Sequence, residues 1–196
     1  VTLSGFNFSD CSFITKEKDA VLRKGKLQRQ DSVLTTRGTV GNVAYYDQSI
    51  PFQNIRINSG MVIFRPDKAR IDPLFLYIFS RSRLFAEQVR GLTTGSAQPQ
   101  LPIRDIRRIS LPLPDMDSQK AIALIIGALD DKIELNSRMN ATLEAAARAL
   151  FKSWFVDFDP VKAKMTGNAP FGMDAATAAL FPARLTESEL GDIPDG

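Results

Sequence analysis

No proline interrupts the chain between Pro114 and Pro160, and the 41 residues from Met116 to Val156 keep one apolar spacing throughout. Ile122, Ile126, Leu129, Ile133, Asn136, Asn140, Leu143, Ala147, Leu150 and Trp154 follow an unbroken 4,3 alternation, the seam of a heptad. As one helix this run would extend on the order of 60 Å at about 1.5 Å per residue. The residues before it are too few to bury such a stripe, so the spacing predicts a helix that pairs with another helix. Asn136 and Asn140 stand where apolar residues would be more stable, which fits partners across an interface that fix register. Ile125, Leu135, Met139, Ala146, Phe151 and Phe155 make a second stripe, so more than one partner helix is compatible with the pattern. Gly127 would allow close approach of a neighbour, at about 1 kcal/mol relative to alanine. Asp115 suits the helix cap and Asp117 its positive end.

Ahead of that helix the texture is different. Val33 to Thr36 and Val43 to Tyr46 are β-like runs around Arg37-Gly38-Thr39-Val40-Gly41-Asn42, which reads as a hairpin. Gly60 to Phe64 is a further strand. Asp72-Pro73 reads as a helix cap followed by proline at the first helical position, and a second short helix is expected near Leu84 to Val89. Gly91 to Gln100 is a polar loop, followed by proline-bounded extended pieces from Leu101 to Leu113. After Asp159-Pro160 the chain reads as loop, with two helical turns near Asp174 to Leu180 and an acidic connector from Leu185 to Gly196. The fold class is therefore α+β: a mixed α/β domain over 1–112, a long coiled-coil-like helix over 115–158, and a linker over 159–196.

Charge divides along the same line. Residues 1–112 hold 17 Lys and Arg against 9 Asp and Glu, whereas residues 113–196 hold 8 against 13. Twelve of the 17 cations are arginines, whose planar guanidinium matches phosphate oxygens and guanine edges. A solvated surface would also look basic; segregation into one segment is what favours nucleic acid.

Several chemistries lack their parts. Histidine is absent and Cys11 is the only cysteine, which leaves out His-based acid–base catalysis, Ser-His-Asp and Cys-His nucleophiles, Cys/His zinc sites and an internal disulfide. No apolar run approaches the length of a bilayer span. With no disulfide, no signal peptide and Val1 in place of methionine, the chain reads as a piece of a longer cytoplasmic protein or a trimmed one. Asp115 followed by Asp130, Asp131 and Lys132 has the loose spacing of a metal-dependent nuclease, but along a helix Asp115 and Asp130 would lie about 22 Å apart. A methyltransferase's glycine-rich turn and Asp/Asn-Pro-Pro-aromatic loop are both absent. No catalytic residue and no metal ligand is assigned.

The polar clusters suit recognition better. Thr36, Arg37, Thr39 and Asn42 in one loop, Ser96, Gln98 and Gln100 in another, and Gln53, Asn54 and Arg56 in a third carry side chains that read base edges. The same residue types are ordinary in turns. Lys24, Lys26 and Arg29 are candidates for phosphate contact.

The stretch from Ile122 to Lys164 (IALIIGALDDKIELNSRMNATLEAAARALFKSWFVDFDPVKAK) resembles the central conserved region of specificity (S) subunits of type I restriction-modification systems. LTTRGTVGNVAYY, INSGMVIFRP and TTGSAQPQLPIRDI, followed by LPLP and Gln119, resemble the second part of a target recognition domain of that family, and LFPARLTESELGDIPDG the lead-in to a further one. The resemblance implies a non-catalytic DNA reader. In such subunits each of two recognition domains reads half of a bipartite site, and the conserved helices separate them and pack antiparallel. Methyltransferase (M) subunits use S-adenosylmethionine, and the translocating restriction (R) subunit uses ATP and Mg; this chain would hold no cofactor itself. One recognition domain and one conserved helix are expected here, and the resemblance implies that the domain's usual first strand is missing before Val1. A lone half would homodimerise through Ile122 to Trp154 on double-stranded DNA, and its two-fold axis would demand a palindromic interrupted site. The alternative is a helical oligomerisation scaffold that binds DNA without reading it, distinguished by a steep salt response and no sequence preference.

Overall fold

The computed structural model describes residues 1–3, 5–189 and 191–195, which form two compact units, residues 1–130 and 131–196. In the first unit a three-stranded antiparallel sheet has β1 (Ser32–Thr35) at its centre, flanked by β2 (Val43–Tyr45) and β3 (Met61–Phe64). Val33 lies opposite Ala44 on one side and Ile63 on the other. Successive side chains of β1 point to opposite faces, yet Val33 and Leu34 are both fully buried, so the sheet is covered on both sides.

On one face Leu34 and Val43 pack with Phe79, Phe85, Val89 and Leu101. Phe79 and Phe85 come from α2 (Pro73–Ser80) and α3 (Arg83–Leu92), and their rings meet edge to face at 5.7 Å. Asp72 caps α2 as expected, accepting from the Leu74 and Phe75 N–H groups with Pro73 at the first position; Ser82 caps α3. On the other face Val33 packs with Leu27 and Tyr46, whose hydroxyl donates to the Phe52 carbonyl. Asp31, almost fully buried, accepts two bonds from the Arg65 guanidinium and one from the Gln28 N–H, which offsets the cost of its burial.

Three sequence expectations are corrected. Leu101 to Leu113 is not wholly extended, because Pro102 opens the short α4 (Ile103–Ile106). The chain does not become loop directly after Asp159-Pro160, since the proline lies at the start of α6 (Asp159–Met165) where its missing N–H costs nothing, and irregular chain follows only beyond it. The acidic connector is a hairpin of β4 (Leu185–Ser188) and β5 (Gly191–Pro194), turned at Gly191 with a positive φ. The helix α1 (Lys16–Val21) had no apolar period to announce it. α7 (Ala175–Ala179), capped by Asp174, lies where two turns were expected. In the second unit Lys164 donates to the Ala178 and Phe181 carbonyls at the end of α7, and Phe181 meets Trp154 edge to face at 5.7 Å.

The expected long helix is α5 (Met116–Phe155), with Asp115 accepting from the Ser118 N–H at its start. The division between the two units falls inside it, between Asp130 and Asp131, rather than near residue 112. Its first turns belong to the first unit for a physical reason: Gln119 and Ala123 are its buried residues, Asp130 pairs with Arg81 of α2, and a Cβ on Gly127 would lie 3.3 Å from the Leu74 side chain. Gly127 therefore does allow close approach, to α2. Seam residues from Ile122 to Leu150 are exposed within the chain, Ile133 at 64% and Leu143 at 63%.

Candidate nucleic-acid interface

Two loops that the sequence left separate come together at one end of the sheet. Thr35 closes the hairpin: its hydroxyl accepts from the Asn42 N–H and donates to the Thr39 carbonyl, while Gly38 and Gly41 take the positive φ values that the turn requires. One residue on, the Thr36 N–H donates to the Gly60 carbonyl at 2.7 Å, and the Thr36 carbonyl accepts from the Leu101 N–H at 2.9 Å. That single residue joins the hairpin, the turn before β3 and the exit of the 93–100 loop. Thr94 and Gln100 exchange two backbone hydrogen bonds at the loop's neck, and Gln100 also pairs with Arg37.

The result is one surface displaying Arg37, Thr39, Ser96, Gln98 and Gln100, all exposed, with Asn42 half-buried beside them. Thr36 differs. Its side chain is buried, and its role is to pin the loops rather than to face outward.

Within the upper loop Gly95 has φ +86°, and a Cβ there would come within 2.8 Å of the Gln98 carbonyl oxygen. Both the backbone conformation and the space demand glycine. Gly95→Ala is expected to cost about 1–3 kcal/mol and to open the Thr94–Gln100 neck. Amide exchange at Gln100 would show it; unchanged protection there would mean that the loop has another conformation available.

The remaining predicted contacts lie at the opposite end of β1, and three of the six, Arg29, Arg56 and Lys26, are engaged within the chain. Arg29 donates to the Ile50 and Asp47 carbonyls and lies 4.2 Å over the Tyr46 ring. Arg56 holds α1: it pairs with the Asp19 carboxylate and donates to the carbonyls of Asp19, Leu22 and Lys24, satisfying the end of that helix. Lys26 pairs with the same Asp19 at 2.6 Å. Hydrogen bonds from Lys26 and then Arg56 hold the Asp19 carboxyl below the usual range. Lys24, Gln53 and Asn54 are exposed. The sequence showed these cations but not their partners, because Asp19 is 37 residues from Arg56.

The carboxylates considered for a metal site are occupied elsewhere: Asp115 caps α5 and Asp130 pairs with Arg81. Among the described residues no group of three or more potential metal-ligating side chains converges, and no helix is long and apolar enough to cross a membrane.

Residues 6–145 match the family model described as the type I restriction modification DNA specificity domain. The chain is 35% identical over 153 residues to the type I restriction enzyme HindI specificity subunit of Haemophilus influenzae, covering 77% of this chain and 33% of that protein. It is 30% identical over 161 residues to the type I restriction enzyme MjaIX specificity subunit of Methanocaldococcus jannaschii, covering 82% and 35%. The chain thus spans about a third of the length of the curated relatives it matches. A chain in a solved structure on complex assembly and conformational transition of the type I R-M system overlays with a TM-score of 0.50 at 21% identity, covering 69% of this chain and 35% of that one, which supports the fold alone.

Proposed function

The chain belongs to the type I restriction-modification DNA specificity family, and on that premise we propose that it reads one half of a bipartite duplex DNA site without catalysing any reaction itself. The observation behind this reading is the joining of the 37–42 and 94–100 loops into one exposed polar surface, in which neutral amides and hydroxyls suited to base edges surround a guanidinium. The α5 helix serves as the scaffold on which M subunits dock, with an R subunit completing the complex. S-adenosylmethionine, ATP and Mg act in those partners, and the assembly works in the cytoplasm.

A second copy of this 196-residue chain is the partner proposed for the exposed seam. The seam is symmetric about position 138, so an antiparallel two-fold pairs Ile122 with Trp154, Ile126 with Leu150, Leu129 with Ala147 and Ile133 with Leu143. In that register each Asn136 meets an Asn140 of the other copy, so both seam asparagines find amide partners instead of facing aliphatic side chains. Both halves of the site are then identical and inverted.

Co-expression with the methyltransferase subunit in a methylation-free host, followed by mapping of N6-methyladenine, tests the reading. A palindromic interrupted motif is expected. Arg37→Ala or Gln98→Ala should relax one base position by about 1–3 kcal/mol while leaving the others intact. Absence of methylation in a complex that still co-purifies would reject the reader and favour the scaffold.

A further inference from the structure

The loop that closes between Thr94 and Gln100 carries no charge of its own, but arginines stand on both of its stems. Arg90 lies four residues before Thr94, in the last turn of α3. Arg104 lies four residues after Gln100, in α4, and Arg107 closes that helix. These positions are matched: the neck that pairs Thr94 with Gln100 places the end of α3 and the start of α4 on either side of the loop's base.

These arginines are poorly neutralised, as are Arg23, Arg37 and Arg70; their place on the two stems of one loop is what sets them apart. Arg29, Arg56, Arg65 and Arg81 each make close bonds to carbonyls or carboxylates within the fold. Arg90 and Arg107, both exposed, make no ion pair among the described residues. Arg104, its side chain 87% exposed, approaches only Asp105 at 3.7 Å, and Arg108 approaches the same carboxylate at 3.6 Å. Asp105 is therefore shared loosely by two guanidinium groups, and Arg90 and Arg107 have no carboxylate partner among the described residues. Such loose, exposed pairs contribute little to stability, so these arginines remain available at small cost in lost interactions. A guanidinium fork matches the oxygens of a phosphodiester, and cations on the flanks of a neutral reading loop correspond to contacts that set position rather than sequence.

We propose that Arg90, Arg104 and Arg107 form a phosphate clamp that grips the backbone of duplex DNA on either side of the 94–100 loop. This rests on the reading that the loop faces a duplex, and it moves the main backbone contact away from Arg29, Arg56 and Lys26.

The test uses the full chain and a labelled mixed-sequence DNA duplex, with binding followed by fluorescence anisotropy as KCl is raised. Each lost phosphate contact lowers the slope of log affinity against log salt by about 0.9, so combining Arg90→Ala, Arg104→Ala and Arg107→Ala should reduce it by about 2–3. The preference recovered from a randomised duplex pool should stay the same. Arg138→Ala with Arg148→Ala removes two exposed arginines of α5 and should leave the slope unchanged. An unaltered slope in the triple variant, or an equal fall per arginine in the α5 variant, overturns the clamp. Failure of the wild-type chain to show any sequence preference would instead overturn the reading beneath it, whatever the slopes.

Discussion

Gln119→Ala is expected to lower the stability of the folded chain by about 3 kcal/mol, because one buried amide satisfies three main-chain groups at once. Its oxygen accepts from the Asp72 N–H at 2.9 Å, and its nitrogen donates to the Arg70 carbonyl at 3.1 Å and the Pro114 carbonyl at 2.9 Å, while the residue is 1% exposed. Alanine would leave a donor and two acceptors at half-buried or exposed residues without these partners, each costing up to about 1–3 kcal/mol where water does not reach it. At about 2–4 °C per kcal/mol for a chain of this size, the thermal midpoint should fall by roughly 6–12 °C. Gln119→Leu keeps the bulk and should lose nearly as much, which separates hydrogen bonding from packing. A Gln119→Ala midpoint within about 1 °C of wild type, well inside the range of ordinary surface substitutions, would show that the three groups find other partners. Since Gln119 anchors the first turn of α5 to the entrance of α2, the same variant should also raise amide exchange at Asp72.

Elements with a local signal were legible in the sequence. The hairpin was marked by glycines that only a tight turn needs, α2 by Asp72-Pro73, and α5 by forty residues of sustained period without proline. Elements held by distant partners were not. α1 buries no residue and is held by Arg56 from far along the chain, so no apolar period announces it, and its one local signal is the Thr15 hydroxyl that accepts from the Lys18 N–H. The same holds for the candidate site. Residue types suggested the two candidate loops, but their union depends on Thr36 bonding to Gly60 and to Leu101, pairings that only the folded sheet sets up. Gln119 could be quoted as part of a familiar stretch, yet its work as a clamp needs Arg70 and Pro114 in place around it. Arg29 and Arg56 were read as candidate DNA contacts because sequence shows charge without showing the carbonyls and the carboxylate that engage it within the fold.

Ile133→Asp should convert a dimer of this chain to monomers, weakening association by more than about a thousandfold. The two-fold axis makes the substitution count twice, and each new carboxylate faces a Leu143 of the other copy, where an uncompensated buried charge costs about 3–5 kcal/mol. The single chain should fold as before, since Ile133 is 64% exposed within it. Sedimentation at micromolar concentration reads the outcome, and a wild-type chain that is already monomeric there rejects the pairing. Register is tested by restoring the charge balance. Adding Leu143→Lys to Ile133→Asp places opposite charges together across the axis and should recover the dimer. Adding Ala147→Lys instead should not, because in this register position 147 faces Leu129. A parallel pairing predicts the reverse of recovery: residue 133 would then meet its own copy and residue 143 its own, setting like charges against each other at both levels. Recovery by the Leu143→Lys combination alone therefore fixes orientation and register together. It also accounts for the asparagines, because the alignment that joins 133 to 143 is the one that brings Asn136 to Asn140.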